Sequence, residues 1–344
     1  MSRRSLTLTF AAVATLVAIA VAVLVPVPYV ILGPGPTLNT LGKDSSGQPL
    51  ITITGHRTYP TNGNLNMVTV SYQGGPGADL NVFQALRAWL EPSEAVVPES
   101  ELFPPGQTVQ QTLRQDTEQM ASSQETATAA ALTILHIPYQ AQAEVVATVP
   151  GYPAAAVLRA GDLIEAVDGR PVTGQSSLSS MITAHPAGSR LLLTVLRGGK
   201  TMRLAVKSTA SNGTPVIGVQ VQQQYKFPFT VKFSVGDIGG PSAGMMFALG
   251  IIDKLTTMDL TGGRFIAGTG EITASGQVQP IGGIQQKMIG ARDAGATIFL
   301  TPAGNCADTA GAVPAGLRIV KVSTLSQAVS DLEALKAGKT VPSC

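Results

Sequence analysis

A serine sits among small residues in Gly239-Gly240-Pro241-Ser242-Ala243-Gly244, just ahead of a helical run over residues 245–255. At such a junction a serine is open to substrate, and the N–H groups at the helix start can stabilise an oxyanion on an attacked carbonyl. Its hydroxyl is a weak nucleophile until a base takes the proton. The three histidines, His56, His136 and His185, lie outside this segment and its downstream companion, so a Ser-His pair has little local support. That companion is Gly268-Thr269-Gly270-Glu271-Ile272-Thr273, followed by Pro280-Ile281-Gly282-Gly283-Ile284-Gln285-Gln286-Lys287. A lysine buried among apolar groups releases its proton more readily, because burial disfavours charge, and it then serves as general base and later as general acid. Either segment alone is ordinary: Gly/Ser turns cap many helices, and lysines are mostly surface residues.

The elements that would hold these residues are readable from pattern. After Gly33-Pro34-Gly35-Pro36, alternation in Ile51-Thr52-Ile53-Thr54 and Met67-Val68-Thr69-Val70 predicts strands. Val82–Leu90 reads as a short amphipathic helix, residues 91–106, rich in Pro and Glu, as an exposed loop, and residues 108–135, free of Pro and Gly, as a long helix. Residues 143–207 differ. A strand over 144–149 leads to Gly151-Tyr152-Pro153-Ala154-Ala155, then to Leu158-Arg159-Ala160-Gly161-Asp162-Leu163-Ile164-Glu165-Ala166-Val167-Asp168-Gly169. A helix near 177–184 and two strands, 190–197 and 201–206, follow, the strands joined at Gly198-Gly199.

In order and spacing this stretch resembles a PDZ domain of the bacterial, protease-associated kind, with a generic small β-domain as the plain alternative. A PDZ domain adds an extended peptide to a sheet edge and captures its terminal carboxylate in a loop. The resemblance implies a groove between the short helix and the strand at 143–149, with the carboxylate loop at 138–142. "GGPSAG", "GTGEITASGQVQPIGG" and the lysine after them resemble the proteolytic domain of the Lon family. That resemblance implies Ser242 as nucleophile, Lys287 as general base, Thr269 as the residue orienting the lysine, and the backbone of Gly240, Pro241 and Ser242 as the oxyanion hole. Lon proteins commonly carry an acidic residue directly before the serine block; here Gly239 stands there, with Asp237 further back. The Gln119-Met120-Ala121-Ser122-Ser123-Gln124 helix is similar to one that precedes the nucleophile in Lon.

Together these features resemble the YlbL-like family of PDZ-containing Lon-like proteases. The expected fold is α+β: a Lon-type proteolytic domain with an inserted β-rich PDZ domain and an N-terminal transmembrane helix. The expected limits are 1–27 for a cytoplasmic tip and anchor, 28–137 and 210–344 for the two parts of the protease domain, and 138–209 for the PDZ domain. No ATPase signature accompanies them. Gly199-Lys200-Thr201 lacks the P-loop glycine, Thr194 standing in its place, and falls in the PDZ hairpin.

Arg3 and Arg4 precede an uncharged apolar run over residues 6–25, long enough to cross a bilayer. The positive-inside tendency puts the N-terminus in the cytoplasm and the catalytic body outside, on a single-pass anchor in the cell membrane. A cleaved signal peptide competes, because Ala20-Val21-Ala22 is similar to a cleavage site, yet the apolar run continues beyond it. Cys306 and Cys344 would then be a disulfide pair in an exported body, and neither belongs to a metal-ligand pattern.

The chain has 344 residues, 44% hydrophobic and 13% charged, and a formal charge of +2 with no basic stripe. These values exclude a disordered chain and argue against a nucleic-acid partner. The expected partners are polypeptide substrates taken by their C-terminal segments at the PDZ groove. No cofactor or metal is expected, and homo-oligomers are carried over from the rings that Lon-type domains often form. The expected activity is ATP-independent endopeptidase cleavage of exported or membrane-associated polypeptides. The alternative is a catalytically silent PDZ scaffold or holdase at the membrane.

Overall fold

The computed structural model describes residues 3–344 except Ser45, Asp79 and Pro105. Met1 and Ser2, at the start of the expected anchor, lie outside the described residues, as do the side chains of Arg3 and Arg4. The chain divides into two compact units, one of Met1–Ile137 with Phe229–Cys344 and the other of Pro138–Pro228.

In the first unit a mixed sheet runs in the order Arg318–Val322, Ile298–Pro302, Phe265–Gly268, Asn64–Gly74, Tyr29–Asn39, Ala95–Pro98. The first four strands are parallel and the last two join antiparallel. Ile298–Pro302 is buried at every residue, as an inner parallel strand covered on both faces must be. The Gly33–Pro36 run is itself part of the β-structure. It lies inside strand Tyr29–Asn39, where the register slips between Pro34 and Thr37, because a proline without N–H cannot keep the ladder. Residues 91–106 are likewise more than a loop. Ala95–Pro98 forms the edge strand and Glu99–Leu102 a helical turn, since a short Ala-Val-Val run pairs with the free side of Tyr29–Asn39 and proline is tolerated at an edge.

Side-chain caps start the helices. Asn81 and Gln84 form a capping box ahead of Val82–Leu90, and Thr108 with Gln111 does the same for Val109–Ile134. Helix Gly244–Leu255, buried over almost its whole length, packs on Val109–Ile134. A side chain at Gly244 would meet Ile272 at 2.9 Å and Ser123 at 3.0 Å, so glycine is what lets these elements close up. The N-terminal helix Arg3–Leu24 contains a span, Leu6–Leu24, with mean hydropathy 2.5, exposed along its length and long enough to cross a membrane. A signal sequence would have the same character.

In the second unit the sheet order is Val219–Lys226, Gln140–Thr148, Leu163–Val167, Arg190–Arg197, Lys200–Lys207. Helix Gln175–Thr183 packs Leu178 and Ile182 into a core with Val145, Ile164, Leu193 and Ile217. Asp162 of the Gly-Asp turn is buried and accepts hydrogen bonds from Nε and Nη2 of Arg197, both at 2.7 Å. The unit continues past residue 209 to Pro228, because Val219–Lys226 pairs with Gln140–Thr148 over nearly its full length.

Candidate active site

In the first unit Lys287 Nζ lies 2.9 Å from Ser242 Oγ and 3.2 Å from Thr269 Oγ1. Each side chain reaches this point through its own local structure. Ser242 lies just before Ala243, the capping residue of helix Gly244–Leu255. Its carbonyl is fixed by Thr269 Oγ1, which donates at 2.9 Å, and by the Gly270 N–H at 2.8 Å. Thr269 is fully buried and follows strand Phe265–Gly268. Lys287 lies in the first turn of helix Ile284–Asp293, its N–H bonded to the carbonyl of Gly283. Gly283 has φ +67°, and a side chain there would meet Val70 at 2.7 Å, so the turn into the helix requires glycine.

The hydrogen-bond directions assign a task to Thr269. Its proton is directed to the Ser242 carbonyl, so toward Lys287 its oxygen can only accept. An N–H of the amine is therefore held by Thr269, which leaves the lone pair of a neutral lysine to face Ser242. Lys287 is only 3% exposed, and burial lowers its pKa from the usual 10.5 to about 8. No carboxylate offsets that effect. A charged lysine would donate to Ser242 Oγ, whereas a neutral one accepts the hydroxyl proton across the same 2.9 Å.

Two anchors were not assigned from sequence. Ser123, in helix Val109–Ile134, donates to the Pro241 carbonyl at 2.9 Å and so holds the serine loop from below. Buried Asn305 accepts from the Ile281 N–H at 2.9 Å and donates to the Ile281 carbonyl at 2.8 Å, clamping the turn ahead of Lys287. Ser123 stood inside a recognised helix motif, whereas nothing local marks Asn305. It directly precedes Cys306, which is disulfide-bonded to Cys344 with the Cα atoms 5.1 Å apart.

The expected oxyanion hole needs correction. Pro241 has no N–H, and the Gly240 N–H donates to the Asp116 carbonyl at 2.9 Å. Ser242 is the one residue of the three whose N–H has no acceptor among the described residues. Asp116 also occupies the space beside Gly239: a Cβ at that glycine would fall 2.6 Å from the Cβ of Asp116. Burial raises the pKa of this carboxyl. A cleft of about 1170 Å³ opens over the serine, lined among others by Val68, Val70, Met120, Asp116 and Ile238. Among the described residues no group of three or more His, Cys, Asp or Glu side chains converges as metal ligands would.

The second unit has its own cleft, of about 560 Å³, between helix Gln175–Thr183 and the start of strand Val219–Lys226. This corrects the expected groove. Gln140–Thr148 is an inner strand, paired along its length with Val219–Lys226 on one side and at Ala143 and Glu144 with Leu163–Val167 on the other, so it is not a sheet edge. Residues 140–142 of the expected carboxylate loop belong to that strand. The sheet edge beside this cleft is Val219–Lys226, entered through Pro215-Val216-Ile217-Gly218. Gly218 has φ +77° and lies against Tyr152, where any Cβ would clash. The N–H groups of Ile217 and Gly218 donate no turn or loop hydrogen bond among the described residues. Leu178 and Ile182 line the cleft floor, with Gln175 and Ser179 on the same helix face.

Comparison with known proteins finds two domain families in the chain. The family model of the Lon protease (S16) C-terminal proteolytic domain matches residues 223–334, and that of the PDZ domain matches residues 107–208. The PDZ match begins at residue 107 and takes in helix Val109–Ile134, which packs in the first unit; strand pairing makes Pro138–Pro228 the better physical limit. Lon protease 1 of Bacillus subtilis is 30% identical over 162 residues, 45% of this chain and 20% of that protein. Lon protease 2 of Herpetosiphon aurantiacus is 48% identical over 106 residues, 30% of this chain and 13% of that protein. The matched part thus spans a fifth or less of these relatives' length. The PDZ domain of an SdrC-like protein from Listeria monocytogenes is 31% identical, covering 23% of this chain and 85% of that one, with a TM-score of 0.22. By the two family models, the chain carries a Lon-type proteolytic domain and a PDZ domain.

Proposed function

We propose that this chain, which joins a Lon-type proteolytic domain to a PDZ domain, is an ATP-independent serine endopeptidase of the YlbL-like kind, with Ser242 as nucleophile and Lys287 as general base. The observation that carries this reading is the buried Lys287 amine, 2.9 Å from Ser242 Oγ, with a pKa lowered to about 8. The neutral amine takes the Ser242 proton as Oγ attacks the scissile carbonyl. The resulting ammonium, held by Thr269, gives that proton to the departing amine nitrogen. Water then enters and attacks the acyl carbonyl as the lysine takes its proton, and the ester bond breaks with that proton passing from the lysine to Ser242 Oγ. The oxyanion is met by the Ser242 N–H at the helix start, and the Gly240 N–H joins only after parting from the Asp116 carbonyl.

The same reading has the apolar Leu6–Leu24 span as a membrane anchor with the catalytic body on the extracytoplasmic side, where a Cys306–Cys344 disulfide persists. Its substrates are exported or membrane-associated polypeptides.

Because the base acts only when neutral, kcat/KM on a fluorogenic peptide is expected to rise about tenfold per pH unit below about 8 and level off above it. A profile flat from pH 6 to 9 would exclude Lys287 as the titrating base. A chain that binds peptides but cleaves none at any pH would be the silent scaffold instead.

The PDZ cleft is assigned to a peptide C-terminus lying along strand Val219–Lys226, its carboxylate at the N–H groups near Ile217 and Gly218 and its last side chain over Leu178 and Ile182. A labelled peptide with an apolar last residue is expected to bind at least about tenfold more tightly as the free acid than as the amide, since amidation removes a charge-assisted set of hydrogen bonds. Fluorescence anisotropy on the full chain reads this directly. Equal affinities would remove the carboxylate from the recognition scheme.

A further inference from the structure

Helix Val82–Leu90 wears its apolar face outward. At 3.6 residues per turn, Val82, Phe83, Leu86, Trp89 and Leu90 fall within an arc of about 120°, and all are exposed, Trp89 by 71% and Leu90 by 68%. Ala88 on the opposite side packs against Ile31 and Leu80. A helix on a water-facing surface would carry the reverse pattern.

Its position says what covers the stripe. The chain leaves the apolar helix Arg3–Leu24 and within a few residues meets the start of Val82–Leu90. Pro26 bridges Asn81, the capping residue, and the Val27 N–H donates to the Leu80 carbonyl at 2.8 Å. The two helices touch, so the exposed stripe continues the exposed apolar surface of the first helix. Tyr29, at the start of the first strand, is exposed beside this junction. Tryptophan and tyrosine favour the boundary between headgroups and acyl chains, where a ring and a polar tip are both satisfied.

We propose that Val82–Leu90 lies in the interface of the bilayer beside the anchor, its apolar face sunk into the acyl boundary. The proteolytic unit then rests on the membrane surface and does not swing on a tether. This builds on the reading of Arg3–Leu24 as a membrane anchor. Glu91 and Glu94 follow the stripe and Arg87 is paired with Glu94, so the attraction is apolar and needs no anionic lipid.

Trp89 is the chain's single tryptophan, so its emission reports this surface without mutation. In the full chain reconstituted in phosphatidylcholine vesicles, lipids brominated near the headgroup end of the acyl chain are expected to quench Trp89 by at least half, independent of protein-to-lipid ratio. Lipids brominated at the chain ends should quench it less, and aqueous iodide only weakly. Should Trp89 stay open to iodide and untouched by brominated lipid while the chain remains with the vesicles through alkaline carbonate, the proposal falls and the anchor stands. Protection from both quenchers, or quenching that changes with protein-to-lipid ratio, would mean that protein covers the stripe, which also overturns it. Release of the chain into the carbonate supernatant removes the anchor reading and this inference together.

Discussion

Ser242→Ala is expected to lower peptide cleavage by the full chain by about ten-thousand-fold or more, the scale seen when an essential nucleophile is lost. Its thermal midpoint should stay within a few degrees, since only one half-buried hydroxyl is removed. Lys287→Ala should match that loss, and the double variant should be no worse than either, because nucleophile and base act as one unit. Lys287→Arg should not rescue, as a guanidinium cannot release its proton near neutral pH. Cleavage within tenfold of wild type by pure Ser242→Ala protein would refute the assignment. Thr269→Val should cost turnover less than the dyad variants, with Thr269→Ser recovering most of it, because only a hydroxyl can both donate to the Ser242 carbonyl and accept from the lysine.

Lys287 also makes a statement about stability. Its pKa falls from 10.5 to about 8 on folding, so between those values the unfolded chain holds a proton that the folded one has released. Stability from this group therefore rises with pH from about 8 to 10.5, and below about 8 the folded state bears the full cost of a buried cation, about 3 kcal/mol. Lys287→Met removes the cation at similar volume and should stabilise the inactive protein by up to that amount at pH 6. The gain should shrink toward pH 10. Urea unfolding at the two pH values measures the difference, and a variant less stable than wild type at pH 6 would contradict it.

Reducing the Cys306–Cys344 disulfide is expected to destabilise the first unit by about 4 kcal/mol. The bond closes a loop with a sequence separation of 38, and the chain-entropy account gives that order for such a loop. The tail it ties down lies along the sheet, with the Lys321 N–H donating to the Pro342 carbonyl at 3.0 Å. The other end sits next to Asn305, the clamp on the turn ahead of Lys287. Cys306→Ser and Cys344→Ser should each reproduce the effect of reductant on thermal unfolding, and reductant should change neither variant further. Indistinguishable unfolding with and without reductant in the wild-type protein would show that the loop contributes nothing.

Much of this molecule was legible one segment at a time. Helix Val82–Leu90 was expected at the observed limits, and helix 108–135 within a residue at each end, because apolar spacing and Asn or Thr caps act over a few neighbouring residues. The Ser242 and Lys287 segments were joined only through their resemblance to the Lon proteolytic domain, and the helix expected from residue 288 in fact starts at Ile284, which puts Lys287 in its first turn. What required the tertiary structure was whatever sums over distant segments. Lys287 loses its charge readily only because separate parts of the chain exclude water around it, and Ser123 and Asn305 act as clamps only because remote loops fold against them. The PDZ groove was placed on the wrong strand because an edge is a property of strand order. Gln140–Thr148 and Val219–Lys226 both have strand patterns, and only their pairing decides which one keeps an open side for a peptide. That the Gly240 N–H is engaged in this structure is equally invisible in sequence, since the carbonyl that captures it belongs to Asp116, on a helix far away along the chain. Short-range pattern sets what each segment can become; desolvation, strand order and long-range hydrogen bonds exist only once the segments meet.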